Sequence, residues 1–148
     1  VLDADLQGIQ LAEVHVRDLH VEGAGGRFIP FLGLLADLIA KGIEIRLFHA
    51  KEPGPRFRKD FDRYPELIES DQFERVLCPR THSKIIIIDG ELAYAGSANL
   101  TGAGIGAKSE NRRNFEAGFL TDETESIKRL MHFLDQLFEQ NFLHYLLQ

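Results

Sequence analysis

Residues 84–95 contain the feature that most restricts the fold: two short apolar runs separated by a tight turn. The run Lys84–Ile88 is apolar after its first residue, and Asp89 and Gly90 form a pair typical of a β-hairpin turn. Leu92–Ala95 then continues as a second apolar run. The stretch therefore predicts two antiparallel strands joined by a hairpin turn.

Polar residues are confined to the ends of this predicted hairpin. His82 and Lys84 are two positions apart at the start of the first strand, so their side chains are predicted to project from the same face. Gly96, Ser97 and Asn99 follow the second strand and lie across the turn from this pair. The hairpin therefore predicts a cluster that combines an imidazole, an ammonium group, a hydroxyl and a carboxamide.

The residues before the hairpin indicate an α/β domain. Apolar residues recur at three- and four-residue steps over residues 28–40, as in an amphipathic helix, and Gly42 is placed to end that helix. The run 43–48 is rich in Ile, Leu and Phe and predicts a buried strand, and residues 9–16 predict another strand. His49, at the end of the 43–48 strand, is a candidate substrate contact, although a structural histidine is the commoner case.

Residues 51–65 are rich in both Pro and Arg and predict an irregular loop. Arg56 and Arg58 are interleaved with aromatic residues, a mixture that binds single-stranded nucleic acid in other proteins. The alternative is a solvated surface loop, because acidic residues nearly offset the bases. Residues 66–75 predict a short helix, and residues 76–78 predict a short strand.

Charge and cysteine content exclude several classes of protein. The 148 residues carry a net charge of −6, which disfavours a generally basic protein that coats nucleic acid. The acidity lies at the two ends, since residues 27–120 carry 14 basic and 13 acidic side chains. The single cysteine, Cys78, excludes an internal disulfide, and the other ingredients of a cysteine-containing metal cluster are missing.

The sequence contains no apolar run near the roughly 20 residues of a transmembrane helix, and it does not open with a signal-peptide pattern. We expect no stable membrane insertion and a cytoplasmic location. Residues 1–148 are expected to form a single catalytic domain, either alone or as a fragment of a longer chain.

The residue types in the predicted cluster suit attack on a phosphodiester. Phosphoryl transfer places negative charge on the non-bridging oxygens, where Lys84 supplies a full positive charge and Ser97 and Asn99 supply hydrogen-bond donors. The imidazole of His82 can supply the nucleophile. This scheme requires no divalent ion, and we expect no cofactor.

These residues resemble the signature of the phospholipase D superfamily: His, any residue, Lys, four residues, Asp, six residues, and Gly-Ser-any residue-Asn. The positions that match it, at the same spacing, are His82, Lys84, Asp89, Gly96, Ser97 and Asn99. Farther along, Asn114-Phe115-Glu116 precedes a strand predicted over 117–120 and is similar to the family's downstream Asn-any residue-Glu element.

The resemblance implies an α-β-α sandwich with a mixed central β-sheet, and it implies a role for each matching residue. His82 would form a phosphohistidine, and Glu116 would orient the histidine ring. Lys84, Ser97 and Asn99 would hold the phosphate. Glu110 is a competing candidate for the role of Glu116, because Ser109-Glu110-Asn111 has a similar pattern. Structural or supporting positions are Asp89, Gly96 and Asn114; a carboxylate such as that of Asp89 would repel a phosphate.

Family members with this mechanism use two such motifs, the second histidine acting as general acid and base. This chain has one, which implies a homodimer with one shared active site or a second motif in a longer polypeptide. Nucleic acid is the expected substrate, because single-motif dimers of the family are typically nucleases. Candidate contacts to it are Arg56, Arg58, Arg112, Arg113 and His49. Phospholipid is the less expected substrate, and a catalytically idle phosphate-binding module is the third alternative.

Overall fold

The secondary structure is taken from a computed structural model, which describes residues 6–12, 19–23, 25–50, 54–101, 111 and 114–146; the side chains of Arg56 and of residues 141–146 are not described. The strands are β1 (Gly8–Ala12), β2 (His20–Glu22), β3 (Phe28–Pro30), β4 (Glu44–His49), β5 (Phe73–Leu77), β6 (Ile85–Ile88), β7 (Leu92–Gly96) and β8 (Gly118–Thr121). The helices are α1 (Phe31–Ala40), α2 (Pro55–Phe61), α3 (Pro65–Glu69) and α4 (Thr124–Leu146).

Six of the strands form one mixed sheet in the order β5-β4-β1-β6-β7-β8. β1, β4 and β5 are parallel, whereas β6 pairs antiparallel with β1 and β7, and β8 pairs antiparallel with β7. The carboxyl ends of β1, β4, β5 and β7 therefore lie at the same edge of the sheet as the amino ends of β6 and β8. We call this edge, defined by Ile85, Gly96 and Gly118, the motif edge.

Helices cover both faces of this sheet. On one face, the buried residues Leu35 of α1 and Leu67 of α3 pack with Ile45 and Leu47 of β4. On the other face, Ile127 and Leu134 of α4 pack with Phe48, Ile85, Ile87 and Ala93. Removal of these side chains from water is a main source of stability for a domain of this kind. The α-β-α sandwich with a mixed central sheet, expected from the resemblance, is confirmed.

The predicted hairpin is also confirmed. Asp89 and Gly90 have positive φ values of 52° and 68°, and the amide of Glu91 donates to the carbonyl of Ile88 at 3.0 Å. Two successive left-handed residues give the turn a twist that matches the strands, and the Asp-Gly pair tolerates that conformation best. The turn lies at the edge of the sheet opposite the motif edge.

Three boundaries predicted from the sequence are wrong. Residues 28–30 form β3, which pairs with β2, and the helix begins only at Phe31. The segment predicted as an irregular loop, 51–65, contains α2 and the first residue of α3, and each of these helices has a proline at its first turn. Proline fixes a helical φ angle and lacks an amide that a first turn leaves unpaired, so Pro55 and Pro65 start helices here. The helix predicted over 66–75 ends at Glu69, because residues 73–77 pair with β4.

Candidate active site

Three segments of the signature meet at the motif edge. The segment 82–84 precedes β6, the segment 97–99 follows β7, and the segment 114–117 precedes β8. The amide of Gly96 donates to the carbonyl of Lys84 at 3.1 Å, and the amide of Ser97 donates to the carbonyl of Ala117 at 2.8 Å. The antiparallel order β6-β7-β8 therefore brings residues distant in sequence into one site, as the hairpin pattern predicted for the first two segments.

His82 and Lys84 form the first part of the site. The Nζ atom of Lys84 lies 3.2 Å from Nδ1 and 3.4 Å from Nε2 of His82, and it donates to the His82 carbonyl at 3.1 Å. Lys84 is buried, with 8% of its surface exposed, whereas His82 is exposed. The ammonium group is therefore held beside a ring that remains accessible to a ligand.

Ser97 and Glu116 form the second part of the site. The Ser97 hydroxyl donates to Oε2 of Glu116 at 2.6 Å and accepts from the amide of Ala117 at 2.9 Å. Nδ2 of Asn114 donates to Oε1 of Glu116 at 3.0 Å. The hydrogen bonds of the Glu116 carboxylate described by the structure thus go to Ser97 and Asn114, not to the ring of His82.

The same contacts explain the ionisation of Glu116. Its pKa is lowered by the hydrogen bond from Ser97, then by that from Asn114, and to a smaller extent by the positive charge of Lys84. Each of these groups favours the charged form of the carboxyl group. The pKa shift therefore favours a carboxylate at neutral pH, and it places a negative charge at the motif edge.

Asn99 lies at the end of the 97–99 segment and is half-buried. Its Oδ1 atom is buried without a hydrogen-bond partner among the described residues. An unpaired buried acceptor costs roughly 1–3 kcal/mol. A donor that reached Asn99 from a ligand would therefore stabilise this part of the site.

Asp89 lies away from this cluster, at the hairpin turn on the opposite edge. Its Oδ1 atom accepts from the amides of Gln7 and Gly8 at 2.8 and 2.7 Å, and its own amide donates to the carbonyl of Gly8 at 2.9 Å. These bonds tie the turn to the start of β1. These contacts indicate a structural role for Asp89.

Gly96 and Gly118 are required by the close packing of Tyr94 beside the site. A Cβ atom on Gly118 would lie 2.6 Å from Cε2 of Tyr94, and one on Gly96 would lie 2.7 Å from the carbonyl oxygen of Ala117. Our reading of the sequence did not identify Gly118 or Tyr94. A glycine within a strand often marks close approach by another group, and that signal was available at Gly118.

We expect Gly118→Ala to lower the free energy of unfolding by about 1–3 kcal/mol, because the new methyl group would overlap the ring of Tyr94. Gly8→Ala is the matched control, since Gly8 also lies in a strand and a Cβ atom there would make only an ordinary contact, 3.6 Å from the carbonyl oxygen of Glu44. Urea unfolding of both variants measures the difference. Equal stability of the two variants would show that Tyr94 moves aside without cost.

The other residues predicted to contact substrate differ in their location and in their exposure. His49, at the motif end of β4, is 5% exposed and therefore offers little surface to a substrate. Arg58 is exposed on α2, the helix that follows β4 along the chain. Arg112, Arg113 and Glu110 lie outside the described residues, as does the side chain of Arg56.

The structure also limits other kinds of site. The described residues contain no group of three or more His, Cys, Asp or Glu side chains arranged to hold a metal ion. Within the same residues, no helix has the length and apolar character needed to cross a membrane.

A cavity of about 1060 Å³ lies at the opposite edge of the sheet, lined by residues that include Gln7, Glu44 and Asp89. It does not contain His82, Lys84 or Ser97.

Comparison with known proteins supplies related sequences and folds. The family described as "Cardiolipin synthase, PLD-like domain" matches residues 29–140. The chain is 31% identical over 127 residues to cardiolipin synthase 2 of Bacillus cereus, a match that covers 79% of this chain and 23% of that protein. The chain thus spans about a quarter of the length of this curated relative.

Solved structures with a similar fold include Nuc from Salmonella typhimurium, a phospholipase D family member. It matches with a TM-score of 0.63 and 14% identity, over 93% of this chain and 82% of Nuc. NucT from Helicobacter pylori matches with a TM-score of 0.58 and 15% identity, over 90% and 79% of the two chains. At these identities, the likeness concerns the fold.

Proposed function

This chain belongs to the phospholipase D superfamily, and we propose that it is a metal-independent phosphodiesterase whose nucleophile is His82. The observation that carries the proposal is the position of the Lys84 ammonium group, 3.2 Å from the exposed ring of His82. A phosphate bound beside this pair would meet a nucleophile and a positive charge together. That combination suits phosphoryl transfer.

The proposed reaction has two steps. A nitrogen of the His82 ring attacks phosphorus, the bond from phosphorus to the leaving oxygen breaks, and a general acid gives that oxygen a proton. Water then attacks the phosphohistidine, gives up a proton to the same group acting as a base, and releases the His82 ring. Lys84 stabilises the charge on the non-bridging oxygens in both steps, and the amide group of Asn99 can supply a donor.

The site holds one of the two histidines that this reaction needs. The signature occurs once in the sequence, so we propose that a second copy of the chain contributes the other His82 across a two-fold axis. Each His82 would then be exposed in a single protomer and enclosed in the dimer. The exposure of His82 in the single chain is consistent with this arrangement.

Mixing experiments test the shared site. Wild-type protein and His82→Ala protein, unfolded together and refolded in equal amounts, should yield about half of the wild-type activity per wild-type protomer, because mixed dimers lack one histidine. The ratio is measured by initial rates over a series of mixing fractions. Activity strictly proportional to the wild-type fraction, or a fully active monomer in sedimentation, would contradict the dimer.

We propose nucleic acid as the substrate. The support is the exposed pair Arg58 and Lys59 on α2, which follows the motif end of β4 after a short connection. Exposed cations of this kind favour a polyanionic substrate whose neighbouring phosphates they can contact.

Phospholipid is the second candidate, and one observation favours it. The relatives with 30–31% sequence identity are cardiolipin synthases. The same nucleophile and cation would serve a phosphatidyl transfer, in which an alcohol replaces water in the second step. A catalytically idle phosphate-binding module is disfavoured, because the exposed ring of His82 beside Lys84 exceeds what phosphate binding requires.

A comparison of substrates decides between these candidates. With EDTA present, wild-type protein is expected to cleave single- or double-stranded nucleic acid faster than it acts on phosphatidylglycerol vesicles or on bis(p-nitrophenyl) phosphate. Lys59→Ala combined with Arg58→Ala should slow cleavage of nucleic acid and leave the small diester unaffected. Faster turnover of phosphatidylglycerol would select the lipid candidate, and loss of all activity in EDTA would contradict the metal-independent scheme.

A further inference from the structure

The proton of the Ser97 hydroxyl and one of its two acceptor positions are engaged inside the protein. It lies 2.6 Å from Oε2 of Glu116 and 3.2 Å from the carbonyl oxygen of Ala117, and its oxygen accepts from the amide of Ala117 at 2.9 Å. A serine hydroxyl has one proton to donate. The shorter contact to a charged acceptor is the stronger one, so the proton of Ser97 points to Glu116.

The Glu116 carboxylate is held in this position from its other side. Asn114 donates to Oε1 at 3.0 Å, and the two hydrogen bonds, together with the charge of Lys84, lower the pKa of Glu116. The carboxylate is therefore charged and fixed while it accepts the Ser97 proton. A phosphate oxygen that approached Ser97 would have to compete with this carboxylate for a single proton.

We propose that Glu116 is a positioning residue that acts through Ser97: its carboxylate holds the hydroxyl proton, and a bound phosphate receives that proton only by displacing the Ser97–Glu116 hydrogen bond. This inference rests on the proposed function, since it takes the group bound beside Ser97 to be a phosphate. It differs from the role that the family resemblance implied, in which Glu116 orients the His82 ring.

Substitution of the carboxylate should therefore strengthen phosphate binding. In Glu116→Gln, a neutral amide replaces the anion, and its one oxygen can take the place of either Oε2, which faces Ser97, or Oε1, which faces Asn114, but not of both. We expect the affinity for inorganic phosphate to rise about tenfold, since a hydrogen bond to a charged group is no longer lost on binding. Phosphorus-31 NMR titration measures the dissociation constant of each variant.

A double-mutant cycle separates this effect from a simple loss of negative charge. In a Ser97→Ala background, Glu116→Gln should strengthen phosphate binding by no more than about twofold. In a Ser97→Thr background, which keeps the hydroxyl, Glu116→Gln should again strengthen phosphate binding about tenfold. Glu91→Gln is the matched control, because it removes a carboxylate at the hairpin turn on the opposite edge and should leave phosphate affinity unchanged.

The outcomes distinguish this inference from the proposed function. Weaker or unchanged phosphate binding in Glu116→Gln would overturn the inference, as would equal strengthening with and without the Ser97 hydroxyl. Failure of every variant to bind phosphate would overturn both. A tenfold effect that requires Ser97, in a protein that cleaves no phosphodiester, would support the inference and contradict the proposed function.

Discussion

Replacement of His82 by alanine is expected to lower the rate of phosphodiester cleavage by at least about 10⁴-fold, because a reaction through a covalent intermediate cannot proceed without its nucleophile. Two other candidate nucleophiles described at the motif edge are poorly suited to replace it. Cys78 is buried, and that burial raises the pKa of its thiol. The Ser97 hydroxyl is engaged by Glu116 and Ala117.

His132→Ala is the matched control for this result. His132 is exposed on α4, which packs on one face of the sheet, and its substitution should leave the rate unchanged. Initial rates with EDTA present, together with thermal unfolding of both variants, give the comparison. Activity of His82→Ala within tenfold of wild type would show that another group attacks phosphorus.

Replacement of Lys84 by methionine is expected to lower kcat by roughly 10²–10³-fold, the usual cost of removing a donor from a site where charge develops. Methionine nearly preserves the length of the buried side chain, so the loss should reflect the missing charge more than lost packing. The effect should fall mainly on kcat, because the ammonium group acts on charge that increases in the transition state.

Lys128→Met supplies the control for the Lys84 result. Lys128 is exposed on α4 and pairs with Glu125 at 3.0 Å, an interaction between exposed groups that contributes little to stability. Steady-state kinetics on both variants separates kcat from KM. A change of less than tenfold in kcat for Lys84→Met would mean that the positive charge at phosphorus comes from elsewhere.

Local sequence patterns were sufficient to predict the central hairpin, but they were insufficient to predict the boundaries of the elements that precede it. The hairpin was predictable because Asp89 and Gly90 adopt positive φ angles that few other residue pairs accept. The start of β5 at Phe73 was not predictable in this way, because Phe73 pairs with Ile45, which lies 28 residues earlier in the chain. Pro55 and Pro65 were misread because proline both interrupts helices and begins them, and the local sequence did not show which applied.

The same distinction holds for the site. The pairing of β6 with β7 follows from a short turn, so the approach of Ser97 to Lys84 could be expected from sequence. The hydrogen bond from Ser97 to Glu116 joins residues 19 positions apart and depends on the register of β7 with β8. The family resemblance implied that Glu116 orients the His82 ring, whereas the order of residues along the chain does not show which neighbour a carboxylate contacts.

Detection of the covalent intermediate tests the central claim most directly. Wild-type protein in excess over a phosphodiester substrate is quenched at alkaline pH, where phosphohistidine survives, and digested for peptide mass spectrometry. The proposed mechanism predicts a substrate-derived phosphoryl group on the peptide that contains His82, appearing and decaying within one turnover. A phosphoryl group on another residue, or complete turnover with no modified peptide at any quench time, would contradict it.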